Sequence, residues 1–173
     1  MSIRGFQEHR VRVDELAFVD SSAEVIGNVI IGKDSSVWPT AVIRGDVNQI
    51  TIGERTSIQD GCVLHVSHKS EDNPEGHPLR IGNDVTVGHR VILHGCRVGN
   101  RVLIGMGSII MDGVVVPDEV VIAAGSLVSP GKQLESGYLY LGAPAKRARP
   151  LTEEEKQFFR YSADHYVKLK NLY

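Results

Sequence analysis

The sequence predicts an all-β protein, a parallel β-helix of triangular coils with one α-helix packed along it at the C-terminus. Three observations carry this. Aliphatic residues recur every six positions, a small or β-branched residue often follows them four places later, and the C-terminal stretch changes to a helical period behind a capping motif.

The repeat is read first, because a fixed period decides the architecture. Its aliphatic positions are Val19, Val25, Ile31, Val37 and Ile43; then Ile52, Ile58 and Leu64; then Ile81, Val87 and Leu93; then Val98, Ile104, Ile110, Val116, Ile122 and Val128. The next position is often glycine, as at Gly32, Gly53, Gly82, Gly88, Gly99 and Gly105. The small or β-branched positions include Ala23, Val29, Ser35, Ala41, Thr56, Val85, Val91, Ser108 and Ser126. Each hexamer is one short strand plus a corner, and three hexamers close a coil. The aliphatic side chain points inward and stacks on its counterpart in the next coil, about 4.8 Å away. One coil cannot bury its own face, so stability comes from stacking. A β-sandwich would instead alternate with period two between less regular turns.

The period breaks three times: three extra residues lie between Ile43 and Ile52, eleven between Leu64 and Ile81, and one is missing between Leu93 and Val98. The longest insertion, Val66 to Arg80, reads as a loop rich in Ser, Asn, Pro, Gly and charge. Loops on a rigid solenoid are candidate functional places. Leu139 to Pro144 reads as a turn. Thr152 with Glu155 three residues later is a capping box. It opens a helix to about Asn171, on which Phe158, Tyr161, His165 and Leu169 share one face. The expected organisation is a β-helix over residues 1–150, with the helix of residues 151–173 belonging to the same domain.

Composition agrees. Of the 173 residues, 42% are hydrophobic but only 6% are aromatic, so the core is aliphatic. Eighteen glycines suit short strands and tight turns. The formal charge of −2, without a basic block, argues against a nucleic-acid partner. No apolar run approaches a membrane span, and the charged N-terminal stretch lacks the apolar segment of a signal peptide. Two cysteines, Cys62 and Cys96, make no disulfide framework. A cytoplasmic setting is expected.

The repeat also places three of the seven histidines. Let walls A, B and C begin at Ile52, Ile58 and Leu64 in one coil, and at Ile81, Val87 and Leu93 in the next. His65 and His94 each follow the wall C aliphatic residue, so they point outward and stack on adjacent coils. That spacing suits two imidazoles gripping one metal at about 2.0–2.1 Å each. Arg44 lies in the same column. His89 follows Val87 by two, on wall B, with Asp60 in the column beneath it and Gln59 alongside. A neighbour across a threefold axis would bring its His89 to this chain's His65 and His94. Three histidines and an open position form a catalytic zinc pattern, with hydroxide supplied near neutral pH and CO2 as a natural small electrophile. Arg44, Asp46, Gln59 and Asp60 are candidates to orient ligands and the attacking oxygen. Arg44 and Asp46 also suit an ion pair between subunits. Cys96, near His94, has no second cysteine and reads as structural.

These residues resemble the γ-class carbonic anhydrases, and within them the small bacterial proteins of the YrdA, CaiE and PaaY type. The resemblance runs from Phe18 through the C-terminal helix. It rests on Arg44-Gly45-Asp46, Gln59-Asp60-Gly61, Leu64-His65, and His89 five residues before His94-Gly95. It implies a left-handed β-helix homotrimer with zinc ligated by His65, His89 and His94 at each subunit interface. Iron or cobalt is the other metal the family accepts. It further implies that Gln59 orients the metal-bound hydroxide, and that Arg44, Asp46 and Asp60 join an interface network. His68 stands where the family carries a proton-shuttling glutamate, and Val47 stands where it carries a second one. Tyr166-Val167-Lys168 lacks the asparagine of the family's Tyr-x-Asn. Imidazole ordinarily gains and loses its proton near neutral pH, so a histidine at this place suits proton transfer, and hydration without a shuttle would be slow.

The expected function is thus reversible CO2 hydration by a zinc-dependent protein. The alternatives are a metal-dependent thioesterase, a CoA-dependent hexapeptide acyltransferase using a single histidine, and a non-enzymatic metal- or siderophore-binding or assembly protein.

Overall fold

The computed structural model describes residues 2–173, and Met1 lies outside them. The chain forms a left-handed parallel β-helix closed by one helix, and the register reproduces the three walls rung by rung. Wall C stacks Val25, Ile43, Leu64, Leu93, Ile110 and Val128. Wall B stacks Val19, Val37, Ile58, Val87, Ile104, Ile122 and Tyr140. Wall A stacks Val13, Ile31, Ile52, Ile81, Val98 and Val116. All these pairings are parallel. Two long strands, Glu24–Ile31 and Val42–Ile52, run through the C-to-A corner and join those walls into one sheet.

The inward residues are almost wholly buried, including the position four after most of the aliphatics: Ala23, Val29, Ala41, Cys62, Val85, Val91, Val102, Val114 and Val120. Cys96, two before Val98, fills the same kind of site. Burial pushes the Cys62 and Cys96 thiols up to about 11 and 12 respectively. Thiols held that far from ionisation are poor nucleophiles, so both serve as packing groups.

Glycine has two separate duties here. After the aliphatic residue it lets coil backbones approach: a Cβ on Gly53 would lie 2.6 Å from the Gly82 carbonyl oxygen. The left-handed turn falls two positions later, where glycine would be the unstrained choice. That turn is nevertheless often made by another residue, as at Asp34 (φ 58°), Arg55 (φ 54°), Asp84 (φ 55°) and Arg101 (φ 52°).

Three sequence expectations are corrected. The long insertion is shorter than Val66 to Arg80: Val66 is buried in the core, and Leu79–Ile81 is a wall A strand. The loop proper, residues 67–78, is pinched by a Ser67–His77 bridge. Asn48 Nδ2 also holds it through the carbonyls of Ser67 at 3.1 Å and Glu75 at 2.8 Å. Leu139 to Pro144 is mostly strand. Tyr138–Gly142 extends wall B because Tyr140 falls on the six-residue period above Ile122, and it then pairs antiparallel with Ala145–Pro150.

The third correction concerns the helix, Glu153–Lys170, which has the expected Thr152–Glu155 capping box. Phe158 and Tyr161 face solvent, and the buried side is Phe159, Ser162, Ala163 and Lys170. Small residues decide the docking. Ser162 Oγ lies 2.7 Å from Thr86 Oγ1 on wall B, a close approach that an aromatic side chain would block. Arg55 Nη2 to Asp164 Oδ1 at 2.6 Å and Lys170 Nζ to Asp34 Oδ1 at 3.2 Å tie the helix to two corners.

The cap gives a pH prediction. Arg149 and the Thr152 backbone N–H hold Glu155 down at about 2, from an ordinary 4.5. A depressed carboxylate contributes stability that is present above its unfolded pKa and lost as pH falls through the folded one. Glu155→Gln is therefore expected to melt below the parent at pH 7, with the gap closing between pH 4.5 and about 2. A gap that persists at pH 2 would show that the charge is not responsible.

Candidate metal centre

The two stacked histidines lie in the expected column. His65 and His94 are register partners on adjacent wall C strands, Val63–His65 and Ile92–His94. At this corner the left-handed residue comes early, as at Gly27 (φ 85°) and Gly95 (φ 51°). His94 therefore still lies in strand when the chain turns. The two rings sit 5.1 Å apart between centroids, tilted by 57°.

Their hydrogen bonds set the chemistry. His65 Nε2 lies 3.0 Å from Asp46 Oδ1, and His94 Nδ1 lies 2.6 Å from Asp112 Oδ1. An ionised carboxylate only accepts, so each of these ring nitrogens donates. The two remaining nitrogens, His65 Nδ1 and His94 Nε2, face each other at 3.1 Å. In the neutral rings both are bare lone pairs, which repel unless a proton or a cation lies between them. Tetrahedral ligands at about 2.05 Å from zinc stand about 3.3 Å apart, so the spacing fits two ligands of one ion.

His89 follows the same rule at another corner. Its Nδ1 lies 2.9 Å from Asp60 Oδ2, leaving Nε2 uncommitted on a half-exposed side chain. His65 and His94 each donate to an aspartate, the arrangement that fixes ring tautomers around metals, and His89 stands at ion-pair distance from a third. Among the described residues of one chain, no three His, Cys, Asp or Glu side chains converge on a single point.

Arg44 Nη1 donates to Asp46 Oδ2 within the chain. Burial opposes ionisation of Asp46, but its bonds to His65 and Arg44 outweigh this and hold the carboxyl below its ordinary range. Gln59 is buried, and its Nε2 donates to the Tyr166 hydroxyl on the helix. Burial raises the Tyr166 pKa against the opposing bond from Gln59. Gln59, Asp60, His89 and Tyr166 line a cavity of about 250 Å3 with Trp38 and Tyr173. His68 is exposed on the inserted loop and lines, with Asp46 and Val47, a separate open groove of about 810 Å3.

Sequence reasoning missed two contributors. Asp112, two after Ile110, binds His94 and also accepts from Ser67 Oγ at 2.8 Å, tying the inserted loop to the histidine pair. Extending the histidine column by one coil would have reached its neighbour, Met111. The sequence marks Tyr166 only as part of a motif, and its bond to Gln59 depends on how the helix docks.

The model of the hexapeptide repeat of succinyl-transferase matches residues 78–112 and 95–130. Protein YrdA of Escherichia coli (strain K12) is 56% identical over 171 residues, 99% of this chain and 93% of that protein. Mitochondrial gamma carbonic anhydrase 1 of Arabidopsis thaliana is 46% identical over 91% of this chain, which spans 57% of the plant protein. A crystal structure of a hexapeptide transferase family protein from Anaplasma phagocytophilum matches with a TM-score of 0.92 at 41% identity, covering 99% of this chain and 98% of that one. Fold and repeat together define a hexapeptide-repeat β-helix protein. Within that class, the chain belongs to the γ-carbonic-anhydrase-like family.

Proposed function

We propose that this chain is a γ-type carbonic anhydrase acting as a homotrimer. Zinc is held at each subunit boundary by His65 and His94 of one chain and His89 of the next. The observation that carries this reading is the set of three histidine–aspartate pairs, which leaves one bare nitrogen on each of three imidazoles. When bound, zinc lowers the pKa of a coordinated water to about 7, and iron(II) or cobalt(II) suits the same nitrogen donors. The other roles belong to side chains. Asp46, Asp112 and Asp60 fix the rings, and Arg44 fixes Asp46. Tyr166 holds the Gln59 amide at the wall of the cavity where CO2 enters. Hydration forms a bond from a water oxygen to the CO2 carbon and releases one proton. His68 accepts that proton at a ring nitrogen and passes it to buffer, whereas Val47 in the same groove carries none.

His68→Ala is accordingly expected to lower kcat by roughly tenfold in weak buffer, with recovery on adding imidazole. An unchanged rate would remove His68 from the proton path.

A second reading, hydrolysis of a thioester with the same metal ligands, is favoured by the cavity beside His89. Its volume of about 250 Å3, walled by Trp38, Tyr166, Leu169 and Tyr173, is more than CO2 fills and suits a short acyl group. Metal content of anaerobically purified protein, followed by stopped-flow CO2 hydration on that sample, tests both. About one ion per chain with fast hydration supports the first reading. Metal without hydration, but with thioester cleavage, supports the second. Absence of metal overturns both and leaves the acyltransferase, carrier and assembly roles.

A further inference from the structure

Seven of the twelve arginines of this chain face acids: Arg4 with Glu24, Arg44 with Asp46, Arg55 with Asp84 and Asp164, Arg101 with Glu119, Arg147 with Glu135, Arg149 with Glu155 and Arg160 with Asp164. Arg80 and Arg97 are different. They are register partners on adjacent wall A strands, so their side chains leave the same face one rung apart. Both are exposed, and among the described residues neither side chain has a hydrogen bond or ion pair. Like charges directly opposed on neighbouring strands destabilise a sheet. The chain therefore carries an electrostatic cost here that no ion pair of either arginine offsets.

The pair also lines a feature with shape. Arg80 and Arg97 form one side of an open cleft of about 450 Å3, bounded by His77, Pro78 and Gly113, with Glu75 as its one acid. His77 is set into the wall by the absence of side chains beneath it. A Cβ on Gly95 would lie 2.6 Å from His77 Cβ, and one on Gly113 would lie 3.3 Å from His77 Cε1. The Ser67–His77 bridge fixes the loop that carries it. Two arginines on strands about 4.8 Å apart, each able to present a planar fork of donors, can reach the oxygens of one tetrahedral dianion. A polyanion is disfavoured by the overall charge of −2.

We propose that the Arg80–Arg97 cleft on wall A is an anion site for a dianionic phosphate, free or as the monoester of a small metabolite. The site is separate from the histidine pair and does not depend on metal.

Calorimetric titration of the intact protein with inorganic phosphate at low ionic strength tests it. The expected result is saturable binding of one phosphate per chain, weakened at least tenfold in Arg80→Gln and in Arg97→Gln. Arg160→Gln, a charge removed from the exposed face of the helix, should change nothing, and neither should His65→Ala. Phosphate should raise the melting temperature of the parent but not of the two cleft variants. Without phosphate, those variants should melt no lower than the parent, which separates lost binding from lost folding. Glycerol phosphate distinguishes the sources: tighter binding than inorganic phosphate assigns the site to a monoester, and equal binding assigns it to the free ion. No saturable heat overturns the proposal, and so does an equal loss in Arg160→Gln.

Discussion

Replacing His65 by alanine is expected to reduce bound zinc from about one ion per chain to near zero while leaving the β-helix folded. The side chain lies outside the core on a wall C rung, so its loss opens no cavity among the stacked aliphatics. What is lost is one of the two nitrogens that face each other at 3.1 Å. His94 remains, held by Asp112, but two imidazoles, His94 and a neighbouring chain's His89, do not retain the ion. His89→Ala should behave alike if the site is shared between chains. The shared site has a sharper signature in a mixture of the two variants. A cyclic trimer containing both kinds of subunit has one interface at which the His65 and His94 pair of one chain meets the intact His89 of the next. Mixing after dissociation and reassembly should therefore restore metal to material that held none. Zinc that is unchanged in His65→Ala would sink the ligand assignment. A mixture that regains nothing would sink the shared site.

Leu93→Ala is expected to destabilise the protein by about 3 kcal/mol, a typical cost for truncating a buried leucine. Leu93 has no exposed surface and is stacked between Leu64 and Ile110. The interior of a coil cannot collapse around the gap, because each rung is fixed by ladder bonds to the rungs on either side. A lower midpoint in urea with an unchanged slope is the outcome to measure. A loss below about 1 kcal/mol would mean that the coil relaxes far more than close packing allows. Because His94 directly follows Leu93 on the same strand, weaker zinc binding should accompany the loss.

The walls were legible because a six-residue period leaves few alternatives: once Val25, Ile43, Leu64 and Leu93 are aligned, every outward residue acquires neighbours. This is why the His65 and His94 pair was visible before any coordinates. Interactions that leave the column were not. Asp112 reaches His94 from a corner that turns at Gly113, one position later relative to its aliphatic residue than the turn at Gly95, so the simple offset fails. The helix face departs from the sequence pattern because large apolar residues suggest the packing side, whereas Ser162 and Ala163 permit the close contact. The bond from Gln59 to Tyr166 joins residues 107 apart in sequence, and it exists only because of that docking.

The position of the histidine pair within the stack has a consequence of its own. A solenoid loses structure by fraying from its ends, since a terminal coil has one neighbour and an interior coil has two. On wall C, three rungs lie on the N-terminal side of His65 and two on the C-terminal side of His94. The histidine pair therefore stands where local opening is least frequent. The geometry of the site is insulated from the thermal restlessness of the termini, and that central placement supplies rigidity that no cross-link within the chain provides.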